Sequence, residues 1–110
     1  MTPRLTSDFW VRAYLARLRL ADIPAYVTAK GDATAGAVVV KLATLNGLAQ
    51  AFQRSFDLAS GDRVWIVLAE GNEAAVDASI ARQRGFDRDL WVIEIEDRAG
   101  RTLLDEDGLR

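Results

Sequence analysis

Four carboxylates near the end of the chain have the types and spacing that could do chemistry. Asp87 and Asp89 precede a strand-like run and Glu94 and Glu96 lie within it, in G-F-D-R-D-L-W-V-I-E-I-E-D at 85–97. Side chains two residues apart on a strand share a face, so Glu94 and Glu96 could supply two ligands to Mg²⁺ or Ca²⁺. Paired carboxylates could also act as general acid and base. The four residues are therefore a candidate metal or acid–base site.

The same stretch is also typical of a half-buried β-strand, which is the interpretation we favour. A period of two divides its side chains between two faces, Trp91, Ile93 and Ile95 on one and Val92, Glu94 and Glu96 on the other. Aspartate is common in the turn before such a strand because its side chain accepts hydrogen bonds from nearby backbone amides. A catalytic site needs further groups that converge on one point, and the sequence places none there. We expect the last strand of a sheet, with its carboxylates facing water.

Cysteine and histidine are both absent from the 110 residues. Thiolate nucleophiles, thiolate metal sites and disulfides are thereby excluded, and so are the usual proton-transfer side chain and the commonest zinc ligand. The loop G-D-A-T-A-G at 31–36 lacks the Lys and the Ser or Thr of a phosphate-binding loop, and it joins two strands, which favours a tight connection. The composition favours a non-enzymatic role without a cofactor.

Length and charge are those of one soluble globular domain. Half of the residues are hydrophobic, 27% are charged and the net charge is −2, which gives no general attraction to nucleic acid or to anionic membranes. No apolar run reaches the roughly 20 residues of a membrane span, and the first residues lack the pattern of a signal peptide. We expect a cytoplasmic domain with no membrane association.

The elements that must position these residues follow from periodicity and turn signals. They are a helix at 7–21 with Ser7 as its N-cap, strands at 25–30, 37–45, 48–56 and 63–69, a helix at 73–84 and a strand at 90–96. The apolar run at 63–69 is typical of a central strand. This order predicts an α+β domain over 1–97, with a largely antiparallel sheet of about five strands and both helices packed on one face. The acidic tail at 98–110 is predicted to be flexible or weakly docked.

The Asn-Gly pair at 46–47 lies between two strand-like runs, which is a strong signal for a two-residue hairpin turn. Such a turn would pair Leu45 with Leu48 and, in the same register, Lys41 with Phe52. The side chains that face the core would then be those of Val38, Val40, Leu42, Ala49 and Ala51. The opposite face would keep a mixture of apolar and basic side chains.

This opposite face of the hairpin is the predicted open surface of the sheet. Its candidate partner-binding residues are Val39, Lys41, Phe52, Arg54, Phe56, Arg63 and Trp65. An uncovered apolar area of this kind usually marks a site for a protein partner or for a second copy of the chain. Alternatively, the tail or the loop at 57–62 folds over it, and the sequence leaves both possibilities open.

Stacking of single-stranded RNA is a weaker alternative for the same surface. The residues that could serve it are the aromatic Tyr26, Phe52 and Trp65 and the basic Lys30, Lys41, Arg54 and Arg63. Glu94, Glu96 and the acidic tail would repel phosphates, and the net charge also opposes binding. Nucleic acid is therefore not the expected partner.

Three segments of the chain carry a resemblance. They are R-L-T-S-D-F-W at 4–10, G-D-A-T-A-G-A at 31–37, and R-x-F-D-x-D-L-W-V-I-E-I-E-D from Arg84 to Asp97, of which the last is the most specific. Together they resemble an uncharacterised family of short bacterial proteins, classed as a domain of unknown function. The resemblance implies a bacterial origin and a self-contained cytosolic domain, and it supplies no catalytic residues.

Two hypotheses of function follow. The leading one is a non-enzymatic interaction domain that binds itself or a protein partner through the open sheet face. The alternative is a small metal-dependent hydrolase or ligand-binding domain that uses Asp87, Asp89, Glu94 and Glu96. They differ in what they require of the fold, namely an exposed apolar face or carboxylates that converge on one point.

Overall fold

The computed structural model describes residues 5–109, apart from the side chain of Phe56. Residues 1–4 and 110, which belong to the predicted domain and tail, lie outside the described residues. The elements are α1 (Ser7–Leu20), β1 (Ala25–Ala29), β2 (Val38–Ala43), β3 (Leu48–Phe56), β4 (Arg63–Asn72), α2 (Glu73–Phe86) and β5 (Trp91–Glu96). The predicted order of a helix, four strands, a helix and a strand is confirmed.

The five strands form one mixed sheet in the order β1-β5-β2-β3-β4. β2 and β5 run parallel, and the other neighbouring pairs are antiparallel. The parallel pair arises because the chain returns from β4 through α2 to reach β5, a crossover that a helix can span. The predicted α+β class with a largely antiparallel sheet is confirmed. Neither helix within residues 5–109 has the length and apolar character that a membrane crossing requires.

Helix α1 is capped by Thr6 rather than by the predicted Ser7. Thr6 Oγ1 accepts a hydrogen bond from the Phe9 amide at 3.2 Å, which satisfies one of the unpaired donors at the helix start. Ser7 Oγ instead donates to the Gly36 carbonyl at 2.6 Å. The amides of Ser7 and of the residue after it donate to carbonyls of the loop at 31–37, to which Gly36 belongs. The loop at 31–37 is therefore fastened to the start of α1.

The two helices lie on opposite faces of the sheet, so the prediction that both pack on one face was wrong. The core beside α1 includes Tyr14, Leu18, Val40, Leu42 and Ile93. The core beside α2 includes Val76, Ile80, Val39, Ala51 and Val92. Val39 and Val40 are neighbours on β2 and point to opposite sides, and both are fully buried. The central strands have buried apolar side chains on both sides, so each side, here named the α1 face and the α2 face, needs a covering helix.

The β2–β3 hairpin is closed by a three-residue loop, not by the predicted two-residue Asn-Gly turn. The Thr44 amide donates to the Leu48 carbonyl, and Leu45 and Gly47 both have positive φ. Positive φ is uncommon for leucine, and Asn46 offsets part of the cost because its Oδ1 accepts from the Leu48 amide at 3.2 Å. The sequence signal identified the hairpin correctly and its loop length wrongly.

The longer loop shifts the register of the hairpin by one residue. Lys41 pairs with Ala51 and Val40 with Phe52, whereas the predicted turn pairs Lys41 with Phe52. A shift of one residue turns a strand over, so Phe52 lies on the α1 face and Ala51 on the α2 face. The predicted grouping of Ala51 with Val40 was therefore wrong.

Strand β4 does not have the central place that the sequence predicts for it. β5 lies between β1 and β2, and β4 forms an edge of the sheet. Trp91, Ile93 and Ile95 face α1 together, as predicted, but the other side of β5 is covered by α2, where Val92 is buried. The predictions of a last strand with a wet face, and of a central strand at 63–69, were wrong. The apolar run of β4 is instead half-buried, apart from Ile66 and Val67, which are exposed.

The tail folds over the α1 face. Leu104 and Leu109 are buried. The Leu109 carbonyl accepts hydrogen bonds from the indole N–H groups of Trp10 and Trp65 at 3.2 and 3.3 Å. The sequence predicts a flexible or weakly docked tail, whereas this tail contributes to the core beside α1. How firmly it is held in solution stays a prediction.

Two glycines of the loop at 31–37 pack directly against backbone. A Cβ on Gly31 would lie 2.1 Å from the Asp89 carbonyl oxygen, and a Cβ on Gly36 would lie 2.3 Å from the same atom. No side chain tolerates such distances, so both positions need glycine for close approach. The glycines serve backbone packing, in line with the tight connection favoured by the sequence.

We expect Gly31→Ala to lower the free energy of unfolding by about 1–3 kcal/mol, because the backbone at Asp89 must move to admit the methyl group. Gly85→Ala is the matched control. An added Cβ at Gly85 meets open space, and alanine within α2 should raise the free energy of unfolding by about 0.5–1 kcal/mol. Urea unfolding curves of the three proteins measure both values, and changes of the same sign would contradict this account.

Candidate interaction surfaces

The seven residues predicted as a partner surface are divided between the two faces of the sheet. Four of them, Phe52, Arg54, Arg63 and Trp65, lie on the α1 face. Two others, Val39 and Lys41, are buried on the α2 face. The side chain of Phe56 lies outside the described residues. The prediction of one open surface was wrong because it depended on the two-residue turn, although four of its members remain together.

The residues considered for RNA stacking also lie apart. Tyr26 belongs to β1 and Trp65 to β4, which form opposite edges of the sheet, and Lys41 is buried. These three residues therefore cannot contact one strand of RNA side by side.

Arg54 is held between two tryptophan rings on the α1 face. Its guanidinium carbon lies 4.9 Å from the centre of the Trp10 ring and 5.0 Å from that of Trp65. Its Nη2 donates to the Leu109 carbonyl at 3.1 Å, whereas its Nε is buried and has no hydrogen-bond partner among the described residues. Cation–π contacts of this kind fix the plane of an arginine side chain and shield its charge from water. The guanidinium is thus held in one position by the two rings and the Leu109 carbonyl.

A second arginine, Arg63, lies close to Arg54 on the neighbouring strand. Burial, followed by the positive charge of Arg63, lowers the pKa of Arg54 to about 10. Arg54 remains charged at neutral pH, so two positive charges are held near each other beside apolar rings. Like charges in partly buried surroundings are unfavourable unless a negative charge compensates them. Two positive charges therefore lie side by side at this end of the α1 face.

Two cavities open on the α1 face, and Arg63 borders both. One, of about 450 Å³, lies at the start of α1 beside Trp10, Val38 and Arg54; we name it the α1 cavity. The other, of about 900 Å³, is a groove between β4 and the tail that we name the β4 groove. Its apolar lining comes from Phe52, Trp65, Leu103 and Leu104. Cavities of this size hold small ligands or the side chains of a partner.

Strand β4 presents a free edge beside the β4 groove. It is the last strand of the sheet, so its outer edge has no strand partner within the described part of the chain. Ile66 and Val67 are 45% and 49% exposed. Val67 pairs with Phe52 and faces α1, whereas Ile66 pairs with Gln53 and points to the other side. The register shift after Val67 leaves Leu68 as a bulge.

The four candidate metal or acid–base carboxylates do not converge. Asp87 and Asp89 precede β5, where Asp87 Oδ1 accepts from the Asp89 amide at 3.0 Å, while Glu94 and Glu96 lie near the other end of that strand. Glu94 forms an ion pair with Lys41 at 2.6 Å. Among residues 5–109, no group of three or more acidic side chains is arranged to hold a metal ion.

Lys41 lies among three carboxylates on the α2 face. Its Nζ is 2.6 Å from Glu94, 2.7 Å from Asp77 and 2.8 Å from Glu73, and the residue is only 4% exposed. Burial alone would lower the pKa of Lys41, but the hydrogen bonds to Asp77, Glu73 and Glu94 outweigh it and raise the pKa above its usual range. Glu73 and Asp77 are one helical turn apart and share a face of α2. Lys41 thus joins α2 to the sheet, and its predicted exposure was wrong.

Sequence reasoning missed Trp10 and Leu109 as parts of the α1 face. The tail has three large apolar residues, Leu103, Leu104 and Leu109, in an otherwise polar segment. Leucines in an otherwise polar segment indicate that the segment packs against the rest of the domain, because leucine side chains on a free tail would stay exposed to water. Trp10 offers no comparable signal, since an aromatic residue on a helix face indicates only that the face is buried.

The fold and these surfaces define a small α+β domain with a helix on each face of a mixed sheet and with two cavities on one face. A family model described as "Protein of unknown function (DUF1491)" matches residues 5–105. The chain belongs to this DUF1491 family. The resemblance of the sequence to an uncharacterised family is thereby confirmed.

Solved structures of two DUF1491 family proteins and of one further protein are similar to this chain. A crystal structure of a DUF1491 family protein from Caulobacter crescentus has a TM-score of 0.85 and 40% identity, covering 94% of this chain and 97% of that one. An NMR structure of a DUF1491 family protein from the same organism has a TM-score of 0.81 and 39% identity, with 96% of each chain covered. A solution structure of a protein from A. tumefaciens has a TM-score of 0.71 and 30% identity, with 86% of each chain covered. The curated proteins include no match to this chain.

Proposed function

We propose that the chain is a non-enzymatic protein-interaction domain of the bacterial cytoplasm that binds an extended segment of a partner protein along β4. The observation that carries the proposal is the free edge of β4 beside the β4 groove, whose lining includes the apolar side chains of Phe52, Trp65, Leu103 and Leu104. An extended segment that adds to an edge strand gains backbone hydrogen bonds, and its alternate side chains enter pockets on one face. Both parts of this recognition mode are present on β4.

The segment Arg63–Val67 is the part of β4 that suits a short added strand. Beyond it, the bulge at Leu68 interrupts regular pairing, and bulges limit how far a further strand extends along an edge. Every second side chain of an added segment would lie on the α1 face, beside Trp65 and at the mouth of the β4 groove. The groove is lined by apolar side chains, namely Phe52, Val64, Trp65, Leu103 and Leu104, and by charged ones, namely Asp62, Arg63, Arg101 and Asp105. The partner side chains that meet the apolar part should be apolar.

A partner segment explains this edge better than a second copy of the chain does. In a pairing of β4 with β4, each strand would bring its own bulge at Leu68 into the new interface. The two irregular edges would then have to match, whereas an unstructured segment adapts its backbone to one bulge. We therefore assign the edge to a different protein.

Val67→Asp is expected to weaken the binding of such a segment by about tenfold or more, because it places a carboxylate where an apolar side chain should pack. Ile66→Asp is the matched control, since Ile66 is equally exposed but points away from the β4 groove. A random peptide library displayed on phage supplies the probe. Peptides selected by the wild-type chain should share alternating apolar residues, and titration calorimetry with one synthetic selected peptide compares the three proteins.

The outcomes separate the alternatives. Loss of peptide binding in Val67→Asp but not in Ile66→Asp supports the proposal, and co-purification from the native cell with the same variants then identifies the natural partner. No enrichment of alternating apolar peptides, or equal weakening by both variants, counts against it. Light scattering that shows a wild-type dimer dissociated by Val67→Asp would assign the edge to a second copy instead.

A further inference from the structure

The α1 cavity has a lining that combines apolar walls with two positive charges. Its walls include Leu5, Trp10, Ala35 and Val38, and the charges are those of Arg54 and Arg63. The volume of about 450 Å³ lies in the range of small-molecule sites, which are mostly apolar with a few placed polar groups. The cavity is separate from the β4 groove, so it raises the question of what it binds.

The hydrogen-bond donors at the start of α1 are already used within the protein. The amides of Ser7 and Asp8 donate to carbonyls of the loop at 31–37, and the Phe9 amide donates to Thr6 Oγ1. Ser7 Oγ donates to the Gly36 carbonyl. The helix end therefore offers no free amide for a ligand at these positions, and the two arginines are the charged groups that line the cavity.

Arg54 is arranged as a binding group rather than as an ordinary surface charge. The rings of Trp10 and Trp65 cover it, and its Nε lacks a hydrogen-bond partner among the described residues. A planar guanidinium donates in its own plane and matches the oxygens of a carboxylate or phosphate, often through two parallel hydrogen bonds. Arg63 adds a second charge at the same cavity.

We propose that the α1 cavity binds a small molecule that carries one oxyanion group, a carboxylate or a phosphate, on an apolar or aromatic body. The oxyanion would contact Arg54 and Arg63, and the body would contact Trp10 and Val38. Bound negative charge would offset the repulsion between the two guanidinium groups. This inference does not depend on the proposed partner segment along β4.

Titration of the ¹⁵N-labelled full chain followed by NMR tests the proposal. The probes are phenyl phosphate, benzoate and inorganic phosphate. The indole N–H signals of Trp10 and Trp65 should shift more than that of Trp91, because both rings contact Arg54 whereas the Trp91 indole donates to the Asp32 carbonyl. Saturable shifts with phenyl phosphate or benzoate, together with weaker binding of inorganic phosphate, are expected. The two aromatic probes distinguish a phosphate from a carboxylate ligand.

Arg63→Gln should weaken binding of the better aromatic probe by about tenfold, because it removes one charge-assisted hydrogen bond. Arg82→Gln is the matched control, since Arg82 is exposed on α2, on the other face of the sheet. Arg54→Lys keeps the charge but loses the planar donor set, and it should also weaken binding. The amide spectrum of each variant shows whether the fold is retained.

Three results would overturn the proposal. They are no saturable shift of the Trp10 signal with either aromatic probe, equal weakening by Arg63→Gln and Arg82→Gln, and binding of inorganic phosphate as strong as that of phenyl phosphate. The Val67→Asp variant separates the two proposals, because it changes neither arginine. It should lose the selected peptide and keep phenyl phosphate or benzoate.

Discussion

Replacing Lys41 with methionine is expected to lower the free energy of unfolding by about 3 kcal/mol. The substitution keeps the apolar stem but removes the charge that three carboxylates share at 2.6–2.8 Å. Glu73, Asp77 and Glu94 would then repel one another around a buried apolar end. Each of them keeps some contact with water, so the loss should fall at the low end of the range for a broken buried ion pair.

Glu73→Gln is the control for this prediction. Glu73 is one of three partners and is partly exposed, and Lys41 keeps the carboxylates of Asp77 and Glu94. The expected loss is therefore below about 1 kcal/mol. Urea unfolding at pH 7 measures all three proteins. A methionine variant as stable as wild type would show that the charge cluster contributes nothing to joining α2 to the sheet.

The pH dependence follows from the raised pKa of Lys41. A lysine whose pKa is higher in the folded chain than in the unfolded chain stabilises the fold fully below the unfolded pKa of about 10.4. This contribution is lost as the pH rises above that value towards the folded pKa. The difference in stability between wild type and Lys41→Met should therefore be constant near neutral pH and shrink above about pH 10.5.

Local signals in the sequence correctly predicted the order of helices and strands. They also correctly predicted which apolar side chains of β5 share a face. Alternation along β5 placed Trp91, Ile93 and Ile95 together, and the structure has them together beside α1. The α+β class and the order of the elements also follow from local periodicity. These features depend on residues close in sequence, which is why a single chain reveals them.

The register of the hairpin could not be predicted from the same signals. Asn46-Gly47 favours a two-residue turn, but the loop adopts positive φ at Leu45, a conformation that leucine rarely takes. β2 has fully buried apolar side chains on both sides, Val39 on one and Val40 on the other, so the alternation that fixes register in a half-buried strand is weak in β2. The predicted register was therefore wrong by one residue, and for this reason the prediction placed Phe52 on the wrong face of the sheet.

The candidate sites depend on contacts between residues far apart in sequence. The cage around Arg54 joins Trp10 of α1, Trp65 of β4 and Leu109 of the tail. Lys41 was predicted as an exposed residue because its partners on α2, Glu73 and Asp77, are far from it in sequence. Only the order of the strands, with β5 inserted between β1 and β2, brings Glu94 beside Lys41.

Leu109→Ala is expected to lower the free energy of unfolding by about 3 kcal/mol, although the residue lies close to the end of the chain. Leu109 is fully buried in the core beside α1. Its truncation leaves a cavity in the core beside α1, and the same residue holds the indole groups of Trp10 and Trp65 through its carbonyl. A tail that is flexible or only weakly docked predicts a much smaller loss, so this substitution measures how firmly the tail is held.

Leu58→Ala controls for the removal of a leucine side chain as such. Leu58 lies in the loop between β3 and β4 and is fully exposed, so its truncation should change the free energy of unfolding by less than about 0.5 kcal/mol. Urea unfolding followed by tryptophan fluorescence measures both variants. If the Leu109 variant is as stable as the Leu58 variant, the tail is only weakly docked in solution. The α1 face would then be open for part of the time, and the walls of the β4 groove that Leu103 and Leu104 supply would form only when the tail is closed.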